Sequence, residues 1–112
     1  GYRAAKGFFS SDKADAVFAA NDRMALGVLL YCREQGIKVP DDLGIVGFDD
    51  DSFAGYLTPA LTTVRPPMYE IGILAMESLL RMIENRERPI IRVILPVELI
   101  IRDTCRKIEK KP

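Results

Sequence analysis

Two short polar clusters stand out in a chain of 112 residues that contains no histidine. Asn21-Asp22 follows the apolar run Ala16-Val17-Phe18-Ala19-Ala20, and Asp49-Asp50-Asp51 follows Leu43-Gly44-Ile45-Val46-Gly47-Phe48. Asn21 brings two donors and an acceptor, and Asp49 brings two acceptor oxygens. Held on short loops, such groups can hydrogen-bond the hydroxyls of a sugar or the edge of a nucleobase. The three aspartates also have the ligand chemistry of a magnesium site, oxygens gathered around a hard cation. Phosphotransfer at such a site needs a nucleophilic Asp on another strand and a nearby Lys. Asp15 precedes its apolar run instead of following it, so that constellation is incomplete. Each cluster also has a plain structural explanation. Asn21 can cap a helix by accepting a bond from its first turn, and the aspartates can form a solvated acidic turn.

Composition narrows the function classes. Without His, and with only Cys32 and Cys105 in no CxxC spacing, a zinc site and a Ser-His or Cys-His nucleophile pair are excluded. The expectation is no enzyme and no cofactor. Lys plus Arg equals Asp plus Glu at 16 each, so the excess of positive charge that grips phosphates is lacking. The one basic cluster, Arg106, Lys107, Lys110 and Lys111, reads as a solvated terminus. Two thiols far apart fit a reducing compartment, with a single disulfide left open. No apolar run approaches the roughly 20 residues of a membrane span.

The elements that must position these residues alternate. Tyr2 to Phe9 has helical composition and ends at Ser10-Ser11-Asp12. The run 16–20 reads as a strand buried on both faces. Asn21-Asp22 opens a helix to about Gln35, with Gly36 as its stop. A second buried strand follows at 43–48, an irregular stretch runs to Pro59, and Leu61-Thr62-Thr63-Val64 is extended. Pro66-Pro67 precedes a helix from Met68 to Asn85 with Ile71, Ala75, Leu79 and Met82 on one face. Ile91 to Arg102 is a last extended segment, with Pro96 arguing for an edge or a bulge. This alternation predicts an α/β fold with a largely parallel sheet flanked by helices. Both polar clusters would then line one rim, beyond the carboxyl ends of the strands, where open parallel sheets bind ligands. The helix after Asn21 is apolar on two sides. Ala25, Val28, Leu29 and Cys32 suit the sheet, while Leu26 and Leu30 point elsewhere, toward either another part of the chain or a second subunit.

The residues then become specific. Asp15-Ala-Val-Phe-Ala-Ala-Asn-Asp-Arg-Met-Ala-Leu-Gly27 resembles the segment of lactose/galactose-type repressors in which an Asn-Asp pair precedes Met-Ala-Leu-Gly. Gly36-Ile-Lys-Val-Pro-Asp-Asp42, Ile45-Val-Gly-Phe-Asp-Asp50 and Tyr56-Leu-Thr-Pro-Ala-Leu-Thr-Thr-Val64 follow in collinear order. Met68-Tyr-Glu-Ile-Gly72 and Leu95-Pro-Val-Glu-Leu-Ile-Ile-Arg102 complete a likeness that covers nearly the whole chain.

The resemblance implies a type I periplasmic-binding-protein-like core of two α/β subdomains, crossed three times by the chain, with effector between them. It makes residues 1–112 a C-terminal fragment of the effector-binding and dimerisation domain. The helix over 68–86 would belong to the N-terminal subdomain. The helix-turn-helix DNA-binding domain is expected outside this chain, so operator DNA would be reached only through that domain. Asn21 and Asp49 match positions that commonly contact effector, a sugar or nucleoside-like metabolite. Leu26 and Leu57 match dimer-interface positions, in agreement with the outer stripe containing Leu30. One departure is Pro66, where many members carry a Gln near the cleft. The expected protein is a cytoplasmic, dimeric regulator with no membrane partner. The rival from another class is an extracytoplasmic sugar-binding protein of a transport system. A fragment of this kind is also expected to self-associate, by exchange of the 68–85 helix between chains.

Overall fold

The computed structural model describes residues 1–10, 13–85 and 92–107. The expected stop at Ser11-Asp12, the last residue of the 68–86 helix, the start of the final segment at Ile91, and Lys110 and Lys111 lie outside the described residues. The chain divides into two units, one of residues 1–65 and 99–112 and one of residues 66–98.

In the first unit, α1 (Tyr2–Phe8) leads to β1 (Ala16–Phe18), α2 (Asp22–Gln35), β2 (Gly44–Phe48), a single 3-10 turn at Ala54–Tyr56 and β3 (Thr62–Arg65). β1 and β2 pair in parallel with Phe18 opposite Val46, and β2 and β3 pair in parallel with Phe48 opposite Val64. The strand β4 (Glu98–Ile100), of which Leu99 and Ile100 belong to this unit, lies beside β3.

The bounds of α2 follow from its caps. Asn21 is extended (φ −156°, ψ 170°) and accepts a hydrogen bond from the Met24 N–H at 2.8 Å. Gly36 takes φ +70°, which a side chain would strain, and donates to the Arg33 carbonyl. The Ile37 N–H reaches the Cys32 carbonyl at 2.9 Å, completing a Schellman stop. One face of α2 buries Ala25, Val28 and Cys32 with Leu43, Ile45 and Leu61. That face is the stripe expected to meet the sheet.

Two expectations are corrected. β1 is not buried on both faces: it is the outer strand of the described sheet, and Phe18 stays 65% exposed. A continuous apolar run reports what a strand could bury, whereas burial needs a neighbour on each side. The final extended segment is regular only at 98–100, with residues 92–97 in no regular element. Pro96, which lacks the N–H a ladder needs, stands just before the strand begins.

The second unit holds α3 (Met68–Asn85), which starts directly after Pro66-Pro67, as a proline suits a first helical turn. Of the face expected to carry Ile71, Ala75, Leu79 and Met82, Ile71, Ala75 and Met82 share a concavity with Val93 and Leu95 of the same unit, and Met82 is half-buried. Ile71 and Leu79 are exposed, as are Met68, Ile73, Met76, Leu80 and Ile83 around the rest of the helix.

Candidate functional site

The parallel register sets the rim. Asn21 and Asp49 each lie three residues beyond the paired positions Phe18 and Val46, so the two loops leave the same edge of the sheet. Three consecutive amides of the acidic loop are anchored. The Asp49 N–H donates to the Val64 carbonyl at 2.9 Å, and the Asp50 N–H donates to Thr63 Oγ1 at 3.4 Å. The Asp51 N–H donates to Asp22 Oδ2 at 2.7 Å. In this turn Asp49 has φ +105° and Asp50 φ +50°, the left-handed region that non-glycine residues seldom enter.

The two residues expected to contact a ligand both retain free polar groups. Asn21 spends its side-chain carbonyl on the α2 cap, leaving its amide donors uncommitted, so capping and ligand contact are compatible. The Asp49 side chain is exposed and makes no hydrogen bond or ion pair among the described residues.

The other aspartates turn to structural partners. Asp22 is fully buried at the first turn of α2, and its second carboxylate oxygen accepts from the Thr63 hydroxyl at 2.6 Å. A Cβ on Gly47 would collide with that carboxylate, which is why β2 carries a glycine there. Asp50 accepts from Arg102 Nη2 at 2.6 Å and from Arg65 Nε at 2.7 Å. Burial pushes the Asp50 carboxyl up, but the bonds from Arg102 and Arg65 outweigh it and hold the group below the ordinary Asp value. Asp51 lies 3.8 Å from the exposed Arg23 guanidinium. The acidic triplet therefore points three ways. Among the described residues no group of His, Cys, Asp and Glu is placed to hold a metal ion.

Sequence reasoning did not single out Arg65, Arg102 or Thr104. Thr104 is fully buried and links two strands: it accepts from the Thr62 N–H at 2.8 Å and donates to the Ile45 carbonyl at 2.6 Å. The Ile45 N–H returns a bond to the Thr104 carbonyl. Only the Leu95–Arg102 likeness signalled that this terminal segment mattered. Cys32 and Cys105 are both free thiols, and burial pushes the Cys32 thiol up.

Away from the rim, the structure gathers the three leucines expected at a subunit interface. Leu26 and Leu30 of α2 and Leu57 after the 3-10 turn line one concavity of about 430 Å³ with Tyr56, Arg33 and Pro59. Leu30 is 44% exposed and Tyr56 89%. Among the described residues this outer stripe is therefore only partly covered, with Leu26 and Leu57 half-buried.

Residues 2–105 match the family model described as the periplasmic binding protein-like domain. A probable HTH-type transcriptional repressor, ExuR of Bacillus subtilis, is 38% identical over 93 residues, 83% of this chain and 28% of that protein. A solved structure of a putative transcriptional regulator LacI from Bacillus cereus subsp. cytotoxis superposes with a TM-score of 0.85 at 30% identity, covering 94% of this chain and 38% of the other. A LacI family transcriptional regulator from Enterococcus faecium, solved with bound ribose, gives a TM-score of 0.77 at 31% identity over 93% of this chain and 38% of the other. The chain thus spans about three tenths of the length of the curated relatives it matches.

Proposed function

The chain belongs to the periplasmic binding protein-like domain family that includes the lactose/galactose-type repressors, and on that premise we propose that it supplies the effector-binding and dimerisation part of a bacterial transcription regulator. The observation that carries the reading is the pair of uncommitted groups on one rim, the Asn21 amide and the Asp49 carboxylate. A donor and an acceptor on neighbouring loops suit a polyhydroxylated ligand, and the Enterococcus faecium relative was solved with ribose. The effector is accordingly a sugar or a similar polar metabolite.

In this reading the protein is cytoplasmic and acts by allostery rather than chemistry, with a coupling of the usual few kcal/mol between effector and operator. Residues 1–112 form the C-terminal part of the effector-binding domain, and the helix over 68–86 belongs to its N-terminal subdomain. The operator is read by a helix-turn-helix domain elsewhere in the protein. Leu26, Leu30 and Leu57 form the dimer contact, supported by their shared, exposed concavity. No helix among the described residues is long and apolar enough to cross a membrane.

The test is calorimetric titration of the intact regulator with pentoses, hexoses and disaccharides, beginning with ribose, followed by Asp49→Asn. Losing a charged acceptor that bonds a ligand hydroxyl costs about 1.5–3 kcal/mol, roughly ten- to hundred-fold in Kd. Operator affinity without effector should stay the same. An unchanged Kd in Asp49→Asn would remove this residue from the site.

A further inference from the structure

Asp50 faces away from the solvent side of the rim, and its side chain is only 9% exposed. Its Oδ1 accepts from Arg102 Nη2, and its Oδ2 accepts from both Nε and Nη2 of Arg65, each at 2.7 Å. Arg102 is itself held by a bond from Nη1 to the Leu61 carbonyl at 2.8 Å. The places these arginines occupy in the chain are informative. Arg65 is the last residue before the chain leaves the first unit at Pro66. Arg102 stands three residues after the chain returns at Leu99. One carboxylate therefore joins the outgoing and the returning segments, and the residue bonded to it in sequence is Asp49.

The turn needs such a restraint. Two successive non-glycine residues at positive φ are strained unless their surroundings hold them. The bond at the Asp50 amide is long, at 3.4 Å, so it holds weakly. The Asp49 and Asp51 amides on either side are held at 2.9 and 2.7 Å, and at position 50 itself the charged fork to Arg65 and the bond to Arg102 are the short, charge-assisted contacts. An amide at position 50 carries no charge and puts an N–H donor where one of the two carboxylate oxygens stood, so one arginine loses its acceptor.

We propose that Asp50, acting through Arg65 and Arg102, is the positioning residue that holds Asp49 in its left-handed conformation and ties it to both segments linking the two units. Its part in effector response rests on the function proposed above. Displacement of Asp49 by a ligand would be felt at the outgoing and returning segments together.

Amide hydrogen exchange resolved by NMR tests this on the whole chain without any effector, so its failure is distinct from failure of the effector reading. In Asp50→Asn, the amides of Asp49, Asp51 and Arg102 should exchange at least tenfold faster, while Ala25, Val28 and Ile45 keep their protection. Arg65→Gln removes a half-exposed guanidinium and leaves the core intact, so it reads the same effect at Asp49 and Asp51 if Asp50→Asn fails to fold. Arg65→Lys, which keeps the charge, should restore most of the protection. The proposal falls if Asp49 and Asp51 stay protected in Arg65→Gln, or if their exchange rises only by the same factor as that of Ile45.

Discussion

Exchanging bulk between Gly47 and Asp22 should reveal one shared volume beneath the rim. Asp22 is fully buried and accepts two short bonds, from the Thr63 hydroxyl at 2.6 Å and the Asp51 N–H at 2.7 Å. Bonds to a carboxylate contribute about 1.5–3 kcal/mol each, so Asp22→Ala, which loses two, should destabilise by roughly 3–6 kcal/mol. Asp22→Asn should cost less, about 1–2 kcal/mol, because its remaining oxygen can still accept from Asp51. Gly47→Ala alone places a methyl group against the Asp22 carboxylate, with a Leu61 methyl 3.1 Å away, and overpacking of this kind costs about 1–3 kcal/mol. Once Asp22 is shortened the main obstacle is gone, and Gly47→Ala should then cost under about 1 kcal/mol. The coupling in the double-mutant cycle is thus about 1–2 kcal/mol, of the size expected for residues in contact. Urea unfolding at equilibrium measures it. With a slope of about 1.5 kcal/mol per molar, 3 kcal/mol lowers the midpoint by roughly 2 M. Costs that add to within about 0.5 kcal/mol would refute the shared volume, and with it the reason given for a glycine in β2.

Acid should weaken the fold through Asp50. Its folded value lies below the ordinary one, so the bonded carboxylate contributes fully above the unfolded value, roughly pH 4, and the contribution is lost as pH falls through the folded value. Urea midpoints from pH 6 down to pH 3 should therefore decline less steeply in Asp50→Asn than in the wild type; parallel declines would assign the acid sensitivity elsewhere. Asn21→Asp keeps the side-chain acceptor of the cap while removing the amide donors, so it should weaken effector binding about tenfold with stability held within about 0.5 kcal/mol, whereas Asn21→Ala loses about 1 kcal/mol of stability. Equal effector affinity in Asn21→Asp would leave Asn21 as a cap only. Leu30→Glu places a charge on the exposed stripe of α2, and sedimentation of the intact regulator should show dissociation at micromolar concentration; a dimer as tight as the wild type would move the interface to another surface.

What the sequence determined by itself was local. Asn21 and Gly36 bound α2 at both ends because caps act within a turn of the residues they serve, through bonds such as Asn21 to Met24 and Ile37 to Cys32. Pro66-Pro67 located the start of α3 for the same reason. The alternation of elements placed Asn21 and Asp49 on one rim, since parallel strands must end on the same side. The family likeness was legible because its motifs sit at these same turns and caps. Tertiary structure decided the rest, wherever the outcome depended on a partner distant in the chain. In the sequence Asp22 is only part of the pair that opens a helix, Asp50 is one member of an acidic turn, and Thr104 carries no signal at all. Their bonds span 41, 52 and 59 positions, distances over which no periodicity or spacing carries information. The exposure of Phe18 was equally out of reach, because an apolar run specifies the capacity to be buried and only an adjacent strand or helix supplies the burial.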